Sequence, residues 1–423
     1  MHSYKYIIIG GGAAGISAAE TIRQNDKDGS MAVVSDEPYP MYSRVMLSKP
    51  NFFLGKIPFD QIYLKNKKWY ADNKIDFLGS KRAIALNPEH KELDLDDGSH
   101  LHYEKLLIAT GVKARKWNTE GSSKTGVHYL RSLEDGIGIM KAIKTAKKAV
   151  TIGGGFISFE MADLLKMAGL DTTMILRESY FWEPVLDEAS GLMIENAMTN
   201  GGVKIIKNAE VTEVLGNELV EGVRLSGASK TDLQERSVFD TLPCDLIICG
   251  IGVTNGIQWL ENSGVKTNRG ISTNEFMETS VPDVWTAGDI AEYKDLLLEE
   301  NIQMGNWVNA TEQGRVAGSN MAASNKTPFK FVSFYTTSGF GISIAFVGDV
   351  SLGTDRTIVT RGSPEINSYA RIILRNGEIE GATMINRSSE MNAISKMIEK
   401  NMKVADILEQ LGDTNTDLKS LIR

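Results

Sequence analysis

One stretch constrains this chain more than any other: residues 6–17, YIIIGGGAAGIS. Four apolar residues, Tyr6 to Ile9, run directly into Gly10, Gly12 and Gly15, which stand at the G-x-G-x-x-G spacing. Such a run predicts a buried parallel strand that turns straight into a helix. Gly10 permits the tight turn, Gly12 lets backbone approach a pyrophosphate, and Gly15 lets helix and strand pack closely. The start of that helix, with Ala14 in its first turn, offers unpaired N–H groups and roughly half a positive charge to phosphates. A second apolar segment, residues 31–35, ends at Asp36, with Glu37 beside it. A carboxylate at that distance from the glycines can accept hydrogen bonds from a ribose. Strand, turn, helix and acid together predict a dinucleotide site.

The design recurs at residues 149–164, AVTIGGGFISFEMADL. An apolar strand meets Gly153 and Gly155, Phe156 and Ile157 open the helix, and Ser158 replaces the third glycine. Serine is small enough to allow fairly close packing there. Two such sequences imply two dinucleotides, and two bound dinucleotides imply electron transfer between a flavin and a nicotinamide. After the strand predicted over 172–176 come Arg177 and Glu178. Glu178 is the counterpart of Asp36 and favours NADH, whereas Arg177 could meet a 2′-phosphate and favour NADPH. The sequence leaves both open.

Size and composition narrow the class. A chain of 423 residues predicts two or three domains, each with its own core. A net charge of -8 disfavours nucleic acid or an anionic membrane as a general partner. No apolar run reaches the ~18 residues of a membrane span, and the chain opens on a strand, so neither a span nor a signal peptide is expected. The only cysteines are Cys244 and Cys249. They suggest a reducing compartment, the cytosol, and are too few for a cysteine metal site. Both are expected to be ordinary buried residues. The five histidines are scattered without ligand spacing, so no metal is expected.

Between the glycine motifs, a Pro-rich loop after Asp36 carries Arg44 and Lys49, candidate cofactor contacts. Residues 51–75 read as helices, and 77–86 and 91–95 as strands. The segment 103–111, YEKLLIATG, predicts a buried strand ending in the small-residue turn Ala109, Thr110 and Gly111. Residues 203–249 read as short strands with a polar loop around 226–237, leading into an apolar run that ends at Gly252. In VWTAGD, residues 284–289, Gly288 precedes Asp289, which is placed at a helix start to cap it or to reach a ribityl or phosphate oxygen. From about residue 326, strands at 331–334, 342–347, 370–374 and 382–385 precede helices at 390–400 and 404–411, the texture of a separate α+β domain.

In order, IIIGGGAAG, LLIATG, TIGGGFISFE and VWTAGD resemble the FAD-dependent pyridine nucleotide–disulfide oxidoreductase superfamily. The resemblance implies an α/β fold with two Rossmann-like domains and a C-terminal α+β domain. The FAD domain (1–111 and 246–325) would be split by an NAD(P)H domain (112–245), with the C-terminal domain at 326–423. Members that reduce disulfides carry a CxxxxC pair near the flavin, and related peroxidases keep one cysteine there. Here that region reads YSRVMLSK, without any. The chain therefore resembles the branch of rubredoxin and ferredoxin reductases, the flavin part of NAD(P)H nitrite reductase, and apoptosis-inducing factor. That branch's P-Y-x-R-x-x-L-S-K motif appears as MYSRVMLSK, with Met41 for proline.

By this resemblance Arg44 would bind the FAD pyrophosphate and Lys49 would stand beside flavin N5. Glu160 would pair with Lys49 and border the nicotinamide. The R-[ST]-L-x-D motif matches Arg131 to Asp135. GNWVNATEQG would place Trp307 against the flavin, with Ala310 and Ala83 also in the FAD set, while Gly305 stands where the family has glutamate. The family's FWSDQ segment corresponds only loosely to Phe334 through Ser338.

The implied chemistry is hydride transfer from NAD(P)H to flavin N5, followed by electron release. Lys49 would stabilise charge on the reduced flavin, and Glu160 would orient Lys49 and hold it charged. The implied partner is a small electron carrier of rubredoxin or ferredoxin type. An oxidase using oxygen or a small molecule, and a slow redox sensor acting through its binding surface, are the rival readings. A basic patch would favour the acidic carrier. Monomer and homodimer both fit the sequence.

Overall fold

The structure is a computed structural model that describes residues 2–183, 185–227, 241–323 and 325–422. They form two compact units, one of Met1–Ser43, Asp60–Lys113 and Thr254–Phe334, the other of Arg44–Phe59, Ala114–Val253 and Tyr335–Arg423.

The first unit is built on a parallel sheet. The opening strand, His2–Ile9, lies between Met31–Val34 and His100–Ile108, parallel to both, and Ile75–Leu78 extends the edge beyond Met31–Val34. His100–Ile108 changes partner along its length. Its start pairs antiparallel with Glu92–Leu95, and its end pairs parallel with Val284–Thr286. Side-chain alternation then splits the apolar run between two cores. Ile8, Val33, Leu107 and Trp285 face one cluster, whereas Ile7, Ile9, Val34, Leu106 and Val284 face the other. A strand buried on both faces must be apolar throughout, which is why YIII shows no polar alternation.

The helix after the first glycine motif, Ala13–Asn25, packs against Trp307–Ala322. Gly314 and Gly318, one turn apart, face Ala14 and Ala18. A Cβ added to either glycine would come within 2.1 Å of the Ala14 oxygen or 2.6 Å of the Ala18 oxygen. Small residues on both helices bring the backbones together.

Three local expectations change in this unit. The stretch 77–86 is not one strand: it breaks at Gly79 and at Ser80, which is left-handed at φ 56, so Ile75–Leu78 and Ala83–Asn87 enter different parts of the sheet. Helix in 51–75 is confined to Pro50–Phe53 and Lys67–Asp72, with a 3-10 turn at Phe59–Ile62. Asp289 starts no helix. It lies in a turn, and the next helix, Trp307–Ala322, is capped by Asn306, whose side chain accepts from the Asn309 N–H.

The second unit has its own parallel sheet, in the order Lys204–Ile206, Asp171–Ile175, Lys148–Ile152, Leu246–Cys249, Val127–His128. An antiparallel layer of Glu210–Leu215, Gly222–Ser226 and Thr241–Pro243 follows. The predicted polar loop at 226–237 falls from residue 228 onward outside the described residues.

The C-terminal part is a five-stranded sheet, Phe334–Gly339, Ile342–Gly348, Glu378–Ile385, Ser368–Arg375, Thr357–Ser363, with the helix Met391–Glu399 upon it. Thr357–Ser363 is a strand the sequence reading lacked. Phe159, Met174 and Phe181 share one core with Ile342, Ile344, Phe346 and Ile385, so this sheet and the second glycine-motif helix (Phe156–Met167) are packed as one body.

Candidate functional site

In the first unit the glycine motif sits where three parallel strands end together. The Gly10 N–H donates to the Val34 carbonyl at 2.8 Å, and the Ala109 N–H donates to the Ile9 carbonyl at 2.8 Å. Gly10 has φ +119, and a Cβ there would lie 2.1 Å from the Ala109 oxygen. Gly15 is as crowded, 1.9 Å from the Gly10 oxygen. Around Gly12, by contrast, a Cβ would meet nothing within 4 Å among the described residues. The turn is therefore tight behind and open in front, the cradle a pyrophosphate needs.

The helix ends carry the same signal. Among described helices of ten or more residues, Leu133–Ala142, Glu188–Asn200 and Trp307–Ala322 are capped by Ser132, Asp187 and Asn306. Ala13–Asn25 and Phe156–Met167 begin at Gly12 and Gly155, with no side-chain cap and no acid in the first turn. Their first N–H groups are left to an anion.

Around the first cradle, Gly288 (φ +87) places its backbone against Ala14 and Ala310, and its N–H donates to Gln313 Oε1 at 2.7 Å. Gln313 is fully buried and its Nε2 has no partner among the described residues. The Asp289 carboxyl abuts Gly305, where a Cβ would approach it to 3.2 Å, so the residue lacking the family's glutamate is the one that makes room for this aspartate. Ser35 packs under Gly11. Asp36 is exposed just beyond, and Glu37 accepts from Tyr42 OH at 2.7 Å. Thr110 is exposed, Gly111 is left-handed at φ 63, and Ala83 is buried in its strand. Trp307 packs, half-buried, on the helix-side core. Met41, which replaces the family's proline, donates its N–H to Tyr70 OH at 3.1 Å, a bond proline cannot make.

In the second unit the Gly153 N–H donates to the Ile175 carbonyl at 3.1 Å, and a Cβ on Gly153 (φ +102) would lie 2.4 Å from the Gly250 oxygen. A Cβ on Gly155 would meet nothing within 4 Å among the described residues. Ser158 turns its hydroxyl back onto the Ile152 carbonyl at 3.2 Å. Beyond the neighbouring strand Asp171–Ile175, the Arg177 side chain is 73% exposed and Glu178 24%, with an ion pair of 3.5 Å between them. Gly252 (φ +97) accepts from the Arg115 N–H at 3.0 Å through its carbonyl.

The same unit holds a buried carboxylate cluster. Glu160, one turn into the glycine-motif helix, is 4% exposed and accepts from Lys49 Nζ at 2.7 Å. Tyr335 OH donates to the same Oε1 at 3.2 Å, and Thr337 Oγ1 donates to it as well. Ser48 Oγ holds Oε2. Burial and the adjacent Glu160 push the Tyr335 phenol well above its usual range, which keeps it a donor. Four donors from two segments, Ser48–Lys49 and the strand carrying Tyr335 and Thr337, thus fix one carboxylate. The sequence reading paired Lys49 with Glu160 but gave no role to Ser48, Tyr335 or Thr337; the i, i+2 spacing of the last two, which puts them on one face of a strand, was the available signal.

Arg44 donates from Nη1 to the Arg131 carbonyl at 2.7 Å. Arg131 opens a capping box: Ser132 Oγ accepts from the Asp135 N–H, and Asp135 Oδ2 accepts from the Arg131 and Ser132 N–H groups. The R-S-L-E-D motif is a helix start. Cys244 and Cys249 are free and buried, their thiols pushed up to about 12 by burial. Among the described residues no group of three or more His, Cys, Asp or Glu could hold a metal, and no helix is long and apolar enough to cross a membrane.

Against known proteins, the model of the pyridine nucleotide-disulphide oxidoreductases matches residues 4–314, and a reductase C-terminal model matches 337–422. The chain is 26% identical to the biphenyl dioxygenase system ferredoxin--NAD(+) reductase component of Paraburkholderia xenovorans, over 98% of both chains. It is also 26% identical to the nitrite reductase [NAD(P)H] of Bacillus subtilis, over 96% of this chain and 48% of that protein, so it spans about half of that relative. The crystal structure of the ferredoxin reductase for the CYP199A2 system from Rhodopseudomonas palustris superposes with a TM-score of 0.89 at 25% identity, covering 99% of this chain and 100% of that one.

Proposed function

Because the chain belongs to the pyridine nucleotide-disulphide oxidoreductase family, we propose that it is an FAD-dependent NAD(P)H oxidoreductase that passes electrons to a small redox protein of rubredoxin or ferredoxin type. The observation that carries this is the pair of uncapped glycine-motif helices, one on each parallel sheet, with open space before Gly12 and Gly155. Two anion-ready helix starts suit two dinucleotides. The buried free cysteines and the missing CxxxxC pair argue against the thiol relay in the family's name.

In this reading residues 1–111 and 246–325 hold FAD, 112–245 hold NAD(P)H, and 326–423 complete the enzyme. Gly10, Gly12, Gly15 and the Gly288–Asp289 turn cradle FAD, with Asp36 at its ribose. Gly153, Gly155 and Phe156 receive the nicotinamide dinucleotide. Glu178, more sheltered than Arg177, supports NADH as the donor. FAD supplies the hydride acceptor and the means of releasing electrons one at a time. Lys49 carries the positive charge that stabilises the reduced state, and Glu160 holds that ammonium in place. The reducing chemistry and the free thiols fit the cytosol.

The test is anaerobic stopped-flow of the yellow holoprotein with NADH and then NADPH, followed by oxidised rubredoxin, ferredoxin or oxygen. Fast bleaching, with reoxidation much faster by a carrier than by oxygen, is the expected result. Fast reoxidation by oxygen alone would make it an oxidase. A persistent long-wavelength band with slow turnover would make it a sensor. A protein that takes up no FAD would refute the reading.

A further inference from the structure

We propose that Tyr335 and Thr337, on the first strand of the C-terminal sheet, are positioning residues for hydride transfer: they fix Glu160, and through it Lys49. The inference rests on the role given above to the Lys49–Glu160 pair. It assigns the C-terminal sheet a part in the chemistry.

Three contacts in register carry it. Tyr335, Thr337 and Gly339 alternate onto one face of the strand Phe334–Gly339. Phe156, Glu160 and Asp163 lie along one side of the glycine-motif helix at spacings of four and three. The Tyr335 ring packs on Phe156 with centroids 3.9 Å apart, while its hydroxyl reaches Glu160. Thr337, buried, donates to Glu160 one step further along. At the end of the strand a Cβ on Gly339 would come within 3.0 Å of the Phe159 ring, and the Phe340 N–H donates to Asp163 at 3.2 Å. The strand therefore backs the helix over two turns, and its hydroxyls meet the carboxylate that Lys49 uses.

The chemistry of the contact explains why hydroxyls stand there. Glu160 Oε1 receives Lys49, Tyr335 and Thr337 together, and Oε2 receives Ser48. A buried carboxylate is free to rotate unless both oxygens are held, and each rotation would carry the lysine ammonium with it. Neutral donors fix the oxygen without adding a second charge that would compete with Lys49. In the loose match of this segment to FWSDQ, Tyr335 and Thr337 stand at the second and fourth positions.

The experiment uses holoenzyme carrying Thr337→Val, Thr337→Ser or Tyr335→Phe, each alone and combined with Glu160→Gln. Readouts are the anaerobic rate of flavin reduction at saturating NADH, the NADH Kd, the flavin midpoint potential by dye equilibration, and Tm. Thr337→Val is expected to slow reduction about tenfold, a buried charge-assisted bond being lost, with Kd changed less than about twofold and the midpoint potential lowered. Thr337→Ser restores the rate, and Tyr335→Phe, which keeps the ring on Phe156, gives a smaller loss. With Glu160→Gln present, Thr337→Val has no further effect, because both act through one carboxylate. Should Thr337→Val fail to fold, Tyr335→Phe carries the same comparison. Equal losses with and without Glu160→Gln, or a wild-type rate and potential in both hydroxyl variants, overturn the proposal alone. A wild-type rate in Glu160→Gln itself overturns the Lys49–Glu160 reading and the proposal with it.

Discussion

Gly250 lies directly against Ser158. A Cβ on Gly250 would stand 2.5 Å from the Ser158 hydroxyl, which donates to the Ile152 carbonyl. The third glycine of the second motif has thus been exchanged for a serine whose oxygen occupies the space a side chain at 250 would need. Gly250→Ala should destabilise the protein by about 1–3 kcal/mol through overpacking. Ser158→Gly should cost little, and the double variant should recover most of the loss. Urea unfolding of the three variants measures this; additive losses would show that the two sites are independent.

Cys244 and Cys249 give a pH prediction. Burial pushes both thiols up to about 12 in the folded chain, while an unfolded thiol titrates near ~8.5. Above that value the unfolded chain loses these protons and the folded chain keeps them, so the unfolded state binds fewer. Stability therefore falls as pH rises from about 8.5 toward 12. Replacing both cysteines by alanine should flatten the decline of urea midpoints between roughly pH 8 and pH 10.5. Iodoacetamide should leave the native protein unlabelled at neutral pH, and labelling at either residue before unfolding would contradict their burial.

These two cases also show what the sequence could and could not carry. The glycine turns were legible because a tight turn, a left-handed residue and an uncapped helix start are local demands that only certain residues meet. The pairing of Lys49 with Glu160 was legible by resemblance to motifs. Thr357–Ser363 was not: its outward residues are mostly exposed, and only the buried Arg361, tied to Glu390 at 2.9 Å, marks an inner face. An edge strand defined by its pairing with Ser368–Arg375 leaves little apolar alternation to read. Asp289 was misplaced because a strand followed by G-D reads like a helix start, whereas the chain turns there and the cap falls to Asn306. The hydroxyls of Tyr335 and Thr337 reach Glu160 from 175 and 177 positions away along the chain, and that of Ser48 from 112, contacts that only the tertiary fold creates.

Gly314 offers a test of the first cradle from behind. Its Cβ would lie 2.1 Å from the Ala14 oxygen, and backbone cannot yield as a flexible side chain would. Gly314→Ala should force apart the two helices that Gly314 and Gly318 bring together, at about 1–3 kcal/mol, and displace Gly12 from its place in the proposed FAD cradle. The expected readout is a lower ratio of flavin to protein absorbance after purification, with partial recovery when excess FAD is added. Full occupancy at wild-type stability would mean that the close approach of the helices is not what shapes the cradle.

In the proposed reading Glu178 sets which nicotinamide dinucleotide is preferred. It follows the strand Asp171–Ile175 where the second motif needs its ribose acceptor, and it is more sheltered than Arg177, whose side chain is 73% exposed. A carboxylate there accepts the two ribose hydroxyls of NADH and repels the 2′-phosphate of NADPH. The kcat/KM for NADH should exceed that for NADPH by about tenfold or more, equivalent to roughly 1.4 kcal/mol. Glu178→Gln should lower the NADH value and raise the NADPH value, narrowing the ratio. Arg177→Gln should change the NADPH value less than about twofold, because an exposed guanidinium holding only its neighbour contributes little. If Arg177→Gln instead abolishes NADPH turnover while Glu178→Gln leaves NADH unaffected, the arginine is the recognition residue and the assignment reverses.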